Sequence, residues 1–162
     1  MLSRFHRHLA PVLAIGLMLT GTAFAQETAA PAADASDAVL ATSLTNTGMA
    51  EASLVSAVRD GDKLTVRVRF KATEGQTGTE VLYSSMSENS WQTDYYLVAG
   101  DKKYLILKDS AGKPLAPSSL SLNASNPMAG SWNATFPAPP AGETAMLHIG
   151  NVEPLGPFTV PE

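Results

Sequence analysis

The sequence predicts an all-β fold, an antiparallel β-sandwich of about seven or eight short strands. Three observations carry that expectation. "LTVRVRF" alternates with a period of two, putting Leu64, Val66, Val68 and Phe70 on one face and Thr65, Arg67 and Arg69 on the other. Apolar runs of strand length recur between Gly, Pro, Asn and Asp turn signals to the end of the chain. No stretch behind the first 25 residues carries a sustained helical period with caps. A chain of 162 residues needs one domain, and a barrel is the rival way to close such strands.

Residues 1–25 read as a secretory signal peptide. Arg4 and Arg7 supply its positive start, Pro11 to Leu19 its apolar run, and "AFA" before Gln26 the small residues a signal peptidase inspects. The segment falls short of the roughly 20 apolar residues that span a bilayer. Cleavage is expected between Ala25 and Gln26. The chain has no cysteine, so it can carry neither disulfides nor a lipid anchor on a first mature cysteine. The expected destination is the bacterial periplasm, with secretion as the alternative, and no membrane span in the mature form.

Residues 26–50 read as a disordered or weakly ordered leader. "QETAAPAADASDA" is rich in alanine and has no large apolar residue to offset its ordering entropy. "VLATSLTNTGM" reads either as more of that leader or as a first strand on a sheet edge. The sandwich domain is assigned to residues 51–162. Its first hairpin joins "ASLVSAVR" to "KLTVRVRF" through Asp60-Gly61. "EVLYSS" is a shorter strand. A second hairpin runs from Tyr95–Val98 through Ala99-Gly100-Asp101 to Tyr104–Leu107. After a crossing rich in proline and serine come "SWNATF", "TAMLHI" and "PFTV". Pro137 and Pro140 have the spacing of a P-x-x-P ligand, yet with Pro139 they stand between two strands. Proline cannot donate to a ladder and collects at such connections.

From residue 52 to the end, the "LTVRVRF" strand, the "YYLVAGDKKYLILKDSAG" hairpin and "ATFPAPPAG" running into "PLGPFTVP" follow one another. In that order they resemble the immunoglobulin-like sandwich domains of uncharacterised exported bacterial proteins and lipoproteins. The resemblance implies an immunoglobulin-like fold and an envelope location. It brings no catalytic or binding residues.

Charge narrows the partners. Without the signal, nine Lys and Arg face fifteen Asp and Glu, a net charge of −6. That balance argues against nucleic acid and against adhesion to anionic lipid. Chemistry is equally sparse. His148 is the one histidine behind the signal, and no G-x-S-x-G elbow, P-loop or dinucleotide fingerprint occurs. Asp60 and Asp62 lack the further acids of a calcium loop, and a turn explains them. No cofactor is expected, and no enzyme.

The expected function is therefore non-covalent: an exported interaction domain that binds an envelope protein through a sheet edge or through loops at one end. Two alternatives name residues. Trp91, flanked by Asp94 and near Tyr95 and Tyr96, is placed to form a sugar platform in a loop, although a tryptophan covering the open end of the sandwich is the commoner arrangement. Met146 and His148 form an M-x-H pair on one strand face whose thioether and imidazole suit copper, with Met86 or Met128 to complete a site.

Overall fold

The computed structural model describes residues 38–162. The signal peptide and the leader up to residue 37 lie outside the described residues. The protein is all-β and antiparallel, apart from one helical turn and a half. Ten strands are present: β1 (Ala41–Leu44), β2 (Ala50–Asp60), β3 (Lys63–Ala72), β4 (Thr79–Tyr83), β5 (Tyr96–Ala99), β6 (Lys102–Leu105), β7 (Leu120–Asn123), β8 (Gly130–Pro137), β9 (Thr144–His148) and β10 (Leu155–Thr159). The helix α1 (Glu88–Thr93) sits between β4 and β5.

One sheet has the order β1-β2-β3-β8, a second β10-β9-β5-β6, and β4 pairs with β7 as a separate ribbon. Strict alternation builds the first sheet. Leu64, Val66, Val68 and Phe70 are fully buried while Lys63, Thr65, Arg67 and Lys71 are exposed. Their partners on β8 are Phe136, Ala134, Trp132 and Gly130, so one face of the pair is continuous core. Leu97, Ala99, Ala145, Leu147, Leu155 and Phe158 bring the second sheet into the same hydrophobic cluster. Burying one such large apolar side chain stabilises by roughly 1.5–3 kcal/mol. Trp132 lies at its centre with a satisfied N–H. Its Nε1 donates to the Tyr83 hydroxyl at 3.0 Å, which donates to the Pro117 carbonyl at 2.9 Å.

Both hairpin turns are two residues long, the first shifted by one residue and the second shorter than expected. Asp60 pairs with Lys63 and Ala99 with Lys102, leaving Gly61-Asp62 and Gly100-Asp101 as two-residue turns. Gly61 and Gly100 have φ of 57° and 54°, whereas the following aspartates do not have positive φ. Glycine at the first central position of a type II′ turn meets that need, and such turns match the strands' twist. The expected turn at Asp60-Gly61 thus lies one residue later, and β6 begins two residues before Tyr104.

Two strands stand where no clear pattern predicts them. β1 falls within the expected leader and pairs Ala41 to Leu44 with Leu54 to Glu51, so the edge-strand alternative for residues 39–49 is the arrangement found. The domain boundary drawn at residue 51 falls inside β2. β7 occupies part of the proline- and serine-rich crossing and pairs with β4.

Both edges of the first sheet are bridged by neighbouring chain. Beyond β1, Thr45 bridges to Val152, and the Glu153 N–H donates to the Leu44 carbonyl at 2.9 Å. On the far side of β8, Thr135 accepts from the Leu107 N–H at 2.8 Å and donates its own N–H to Leu115 at 3.1 Å. The proline connector is tied down too. The Ala138 N–H donates to the Asp62 carbonyl at 2.7 Å, and the Arg59 guanidinium donates to the carbonyls of Pro139 and Pro161.

Candidate functional site

Four of the sequence-selected residues meet at one place. Asp94, Tyr95, Tyr96 and His148 line a cleft of about 330 Å³ together with Thr93 and the turn Ile149 to Asn151. Each wall follows from local structure. Asp94 is the C-cap of α1, its N–H donating to the Ser90 carbonyl, and its side chain is exposed. Ser87 caps the other end by accepting from the Ser90 N–H. Tyr96 opens β5 and His148 closes β9, and the two are register partners. Their rings stack at 4.4 Å with only 14° between planes. From β6, on the opposite side of β5, Lys103 Nζ stands 3.7 Å over the Tyr96 ring. A cation, a phenol and an imidazole thus lie in a row across three neighbouring strands.

The rim is fixed by the turn after β9. The Val152 N–H donates to the Ile149 carbonyl at 3.1 Å, and Asn151 has a φ of 63°. Positive φ at the third turn position is the type II pattern, and asparagine tolerates it better than most residues. Asn151 is also anchored on two sides: its Nδ2 donates to the Leu82 carbonyl at 2.7 Å, and its own carbonyl accepts from the Asn46 N–H at 3.0 Å. Gly150 is needed for a close approach. A Cβ there would lie 2.8 Å from the Tyr95 hydroxyl.

Beneath the cleft Tyr95 is buried and meets Tyr83 edge-on, with centroids 5.2 Å apart. Burial pushes the Tyr95 hydroxyl up to about 12, with the Asp94 charge adding to it. Burial likewise pushes Tyr83 to about 12; the Trp132 hydrogen bond opposes that rise and Tyr95 reinforces it. His148 moves the other way. Burial, and after it the Lys103 charge, hold its imidazole below the ordinary value of 6.5. At neutral pH the cleft therefore offers a neutral imidazole and the protonated Tyr95 hydroxyl, beside the Tyr96 and Asp94 side chains. These groups can donate and accept several hydrogen bonds to a hydroxyl-rich molecule.

Trp91 stands elsewhere. It belongs to α1 and not to a loop, it is 8 % exposed, and Lys108 Nζ lies 4.2 Å over its ring. It lines a smaller hollow of about 190 Å³ with Met86, Ser87 and Pro114. A tryptophan so covered closes one end of the core and does not offer an open face for stacking. Its Nε1 is buried without a hydrogen-bond partner. Tyr96 is not an open platform either, because His148 and Lys103 cover its two faces.

Met146 shares the outer face of β9 with His148, as alternation requires, but does not line the cleft. Its sulfur packs on the backbone of the next strand, 2.8 Å from where a Cβ on Gly156 would lie. Met86 lines the hollow beside Trp91, and Met128 a groove beside Val55 on the first sheet. Among the described residues no group of three or more His, Asp and Glu gathers in a metal-binding arrangement. Sequence reasoning missed Lys103, Gly150 and Asn151. The Gly-Asn pair behind the apolar run "MLHI" is a turn signal that marked the rim.

No family model, curated protein or solved structure matches the chain. No helix of the described residues is long and apolar enough to cross a membrane.

Proposed function

We propose that this chain is an exported, non-enzymatic binding domain of the bacterial envelope whose ligand is a polyhydroxylated small molecule, a glycan unit above all. The reading includes a signal peptide cleaved after Ala25, a periplasmic destination and an immunoglobulin-like sandwich formed by the two four-stranded sheets. One observation carries the choice of ligand: Asp94, Tyr95, Tyr96 and His148 converge on a single polar cleft. About 330 Å³ is the lower end of the range for small-ligand sites, where a few convergent polar groups set specificity. The bridges at Thr45 and Thr135 shorten the free edges of the first sheet, which weighs against capture of a partner strand there. The ligand-binding alternative thus takes precedence over a protein partner, with its centre moved from Trp91 to the Tyr96–His148 pair.

Thermal shift against a panel of envelope saccharides tests the reading. A ligand specific for the folded state stabilises by about 2.7 kcal/mol at a hundredfold excess over its Kd. The shift should survive Trp91→Phe and disappear in His148→Ala and Asp94→Ala. A panel without any stabilising saccharide, or a shift that persists in both cleft variants, refutes it.

A further inference from the structure

At the base of the cleft lies a polar group that the fold leaves unused. Tyr95 is 3 % exposed, yet among the described residues its hydroxyl makes no hydrogen bond. Its neighbour Tyr83 shows the contrast, accepting from Trp132 Nε1 and donating to the Pro117 carbonyl. A buried hydroxyl without a partner is costly, and native folds seldom keep one without a use. The Tyr95 hydroxyl stands at the cleft wall. A Cβ on Gly150 would lie 2.8 Å from it and 3.5 Å from the Asp94 Cβ, and all three residues line the cleft. The bare Cα of Gly150 therefore leaves a gap flanked by a phenol and a carboxylate. Asp94 is the one acid among the lining residues, and no lysine or arginine is among them. Its side chain is exposed, and among the described residues it forms no ion pair. Its charge reaches into the cleft, where it helps to raise the Tyr95 hydroxyl. Lys103 is engaged over the Tyr96 ring instead.

We propose that the cleft selects a sugar with a free amine, a hexosamine unit, whose ammonium pairs with Asp94 while a neighbouring hydroxyl bonds to the Tyr95 hydroxyl. The inference rests on the saccharide reading of the cleft given above and narrows it. An ammonium has donors only, and a carboxylate supplies the acceptors. Such charge-assisted bonds are stronger than neutral ones. The phenol donates and accepts, which suits the hydroxyl beside the amine. Amine and hydroxyl on adjacent ring carbons match two protein groups that flank one glycine. A uronic acid would set a second carboxylate against Asp94 and is disfavoured.

The test titrates the purified protein at neutral pH with glucosamine, glucose and N-acetylglucosamine, following the backbone amide signals of Tyr95 and Gly150. Glucosamine is expected to bind about threefold to fivefold more tightly than the two neutral sugars. Asp94→Asn keeps the shape and removes the charge; it should abolish that preference and leave glucose binding in place. Tyr95→Phe should weaken glucosamine about fivefold, with Tm unchanged because the hydroxyl holds no bond within the protein. The proposal is overturned if either neutral sugar binds as tightly as glucosamine, if the preference survives Asp94→Asn, or if Tyr95→Phe binds glucosamine as the parent does. Each of those outcomes leaves the saccharide reading standing. Cyclohexylamine binding as tightly as glucosamine also overturns the proposal, because the amine alone then accounts for the contact. If none of the three sugars binds, the proposal falls, and the wider saccharide panel decides whether the saccharide reading falls with it.

Discussion

The outer faces of the two four-stranded sheets use the same alternation to different ends. On the second sheet, Lys103, Tyr96 and His148 occupy one another, cation on ring and ring on ring, and the two rings are half-buried. The cleft lies where that row meets a turn pinned by Asn151. On the first sheet the central strand carries three cations beside exposed apolar groups, Leu44, Val58, Val39 and Met128 among them. Ring partners fix side chains in place. The difference teaches that alternation decides which side chains reach an outer face, while their neighbours across the strands decide how those side chains are held.

Breaking the core should unsettle both sheets together. Trp132→Ala removes a fully buried side chain and leaves the Tyr83 hydroxyl without its donor. A loss of about 3–5 kcal/mol is expected from urea denaturation. A smaller and one-sided effect is expected from Gly150→Val, which drives carbon into the Tyr95 hydroxyl. Overpacking of this kind costs about 1–3 kcal/mol. It should close the cleft to saccharides while circular dichroism still reports folded sheets; a lost β signal would show a folding defect instead.

Acid and alkali should each act on the cleft side of the molecule. His148 titrates lower in the folded protein than in the unfolded chain. The stability linked to it is whole above 6.5, its ordinary value, and is lost as pH falls through the depressed one. His148→Gln should flatten that acid limb in a pH series of Tm. Tyr83 and Tyr95 behave in the opposite sense: both are raised to about 12, so their contribution is whole below pH 10 and is lost as pH rises through 12. The smallest contrast is between single cations. Lys103→Ala gives up a cation–π contact of about 0.5–1 kcal/mol, whereas exposed Arg67→Ala should stay within about 0.5 kcal/mol of the parent.

Much of the fold was legible because its signal is local. "LTVRVRF" alternates in sequence as β3 alternates in space, and glycine beside aspartate announced both hairpins, one residue out of place. β1 was harder to read because "VLATSL" is too short and too poor in β-branched apolar residues to stand apart from a leader, and its partner β2 supplies the order. β7 lay hidden among serines and prolines because only Leu120 and Leu122 of "LSLN" face the core. For the site, Asp94, Tyr95 and Tyr96 were near one another in sequence and stayed so in space. His148 joined them through the β5–β9 register, which no local pattern encodes. Trp91 misled for the opposite reason: a polar neighbourhood reads as a loop, while Ser87 caps a short helix that turns the indole inward.

The most direct test of the cleft is a map of backbone amide shifts during titration with the saccharide that gives the largest thermal shift. The account predicts changes confined to Thr93–Tyr96, Lys103 and His148–Asn151, saturating with a single affinity. Changes centred instead on Ser87, Trp91 and Lys108, or spread evenly over both sheets, would contradict it.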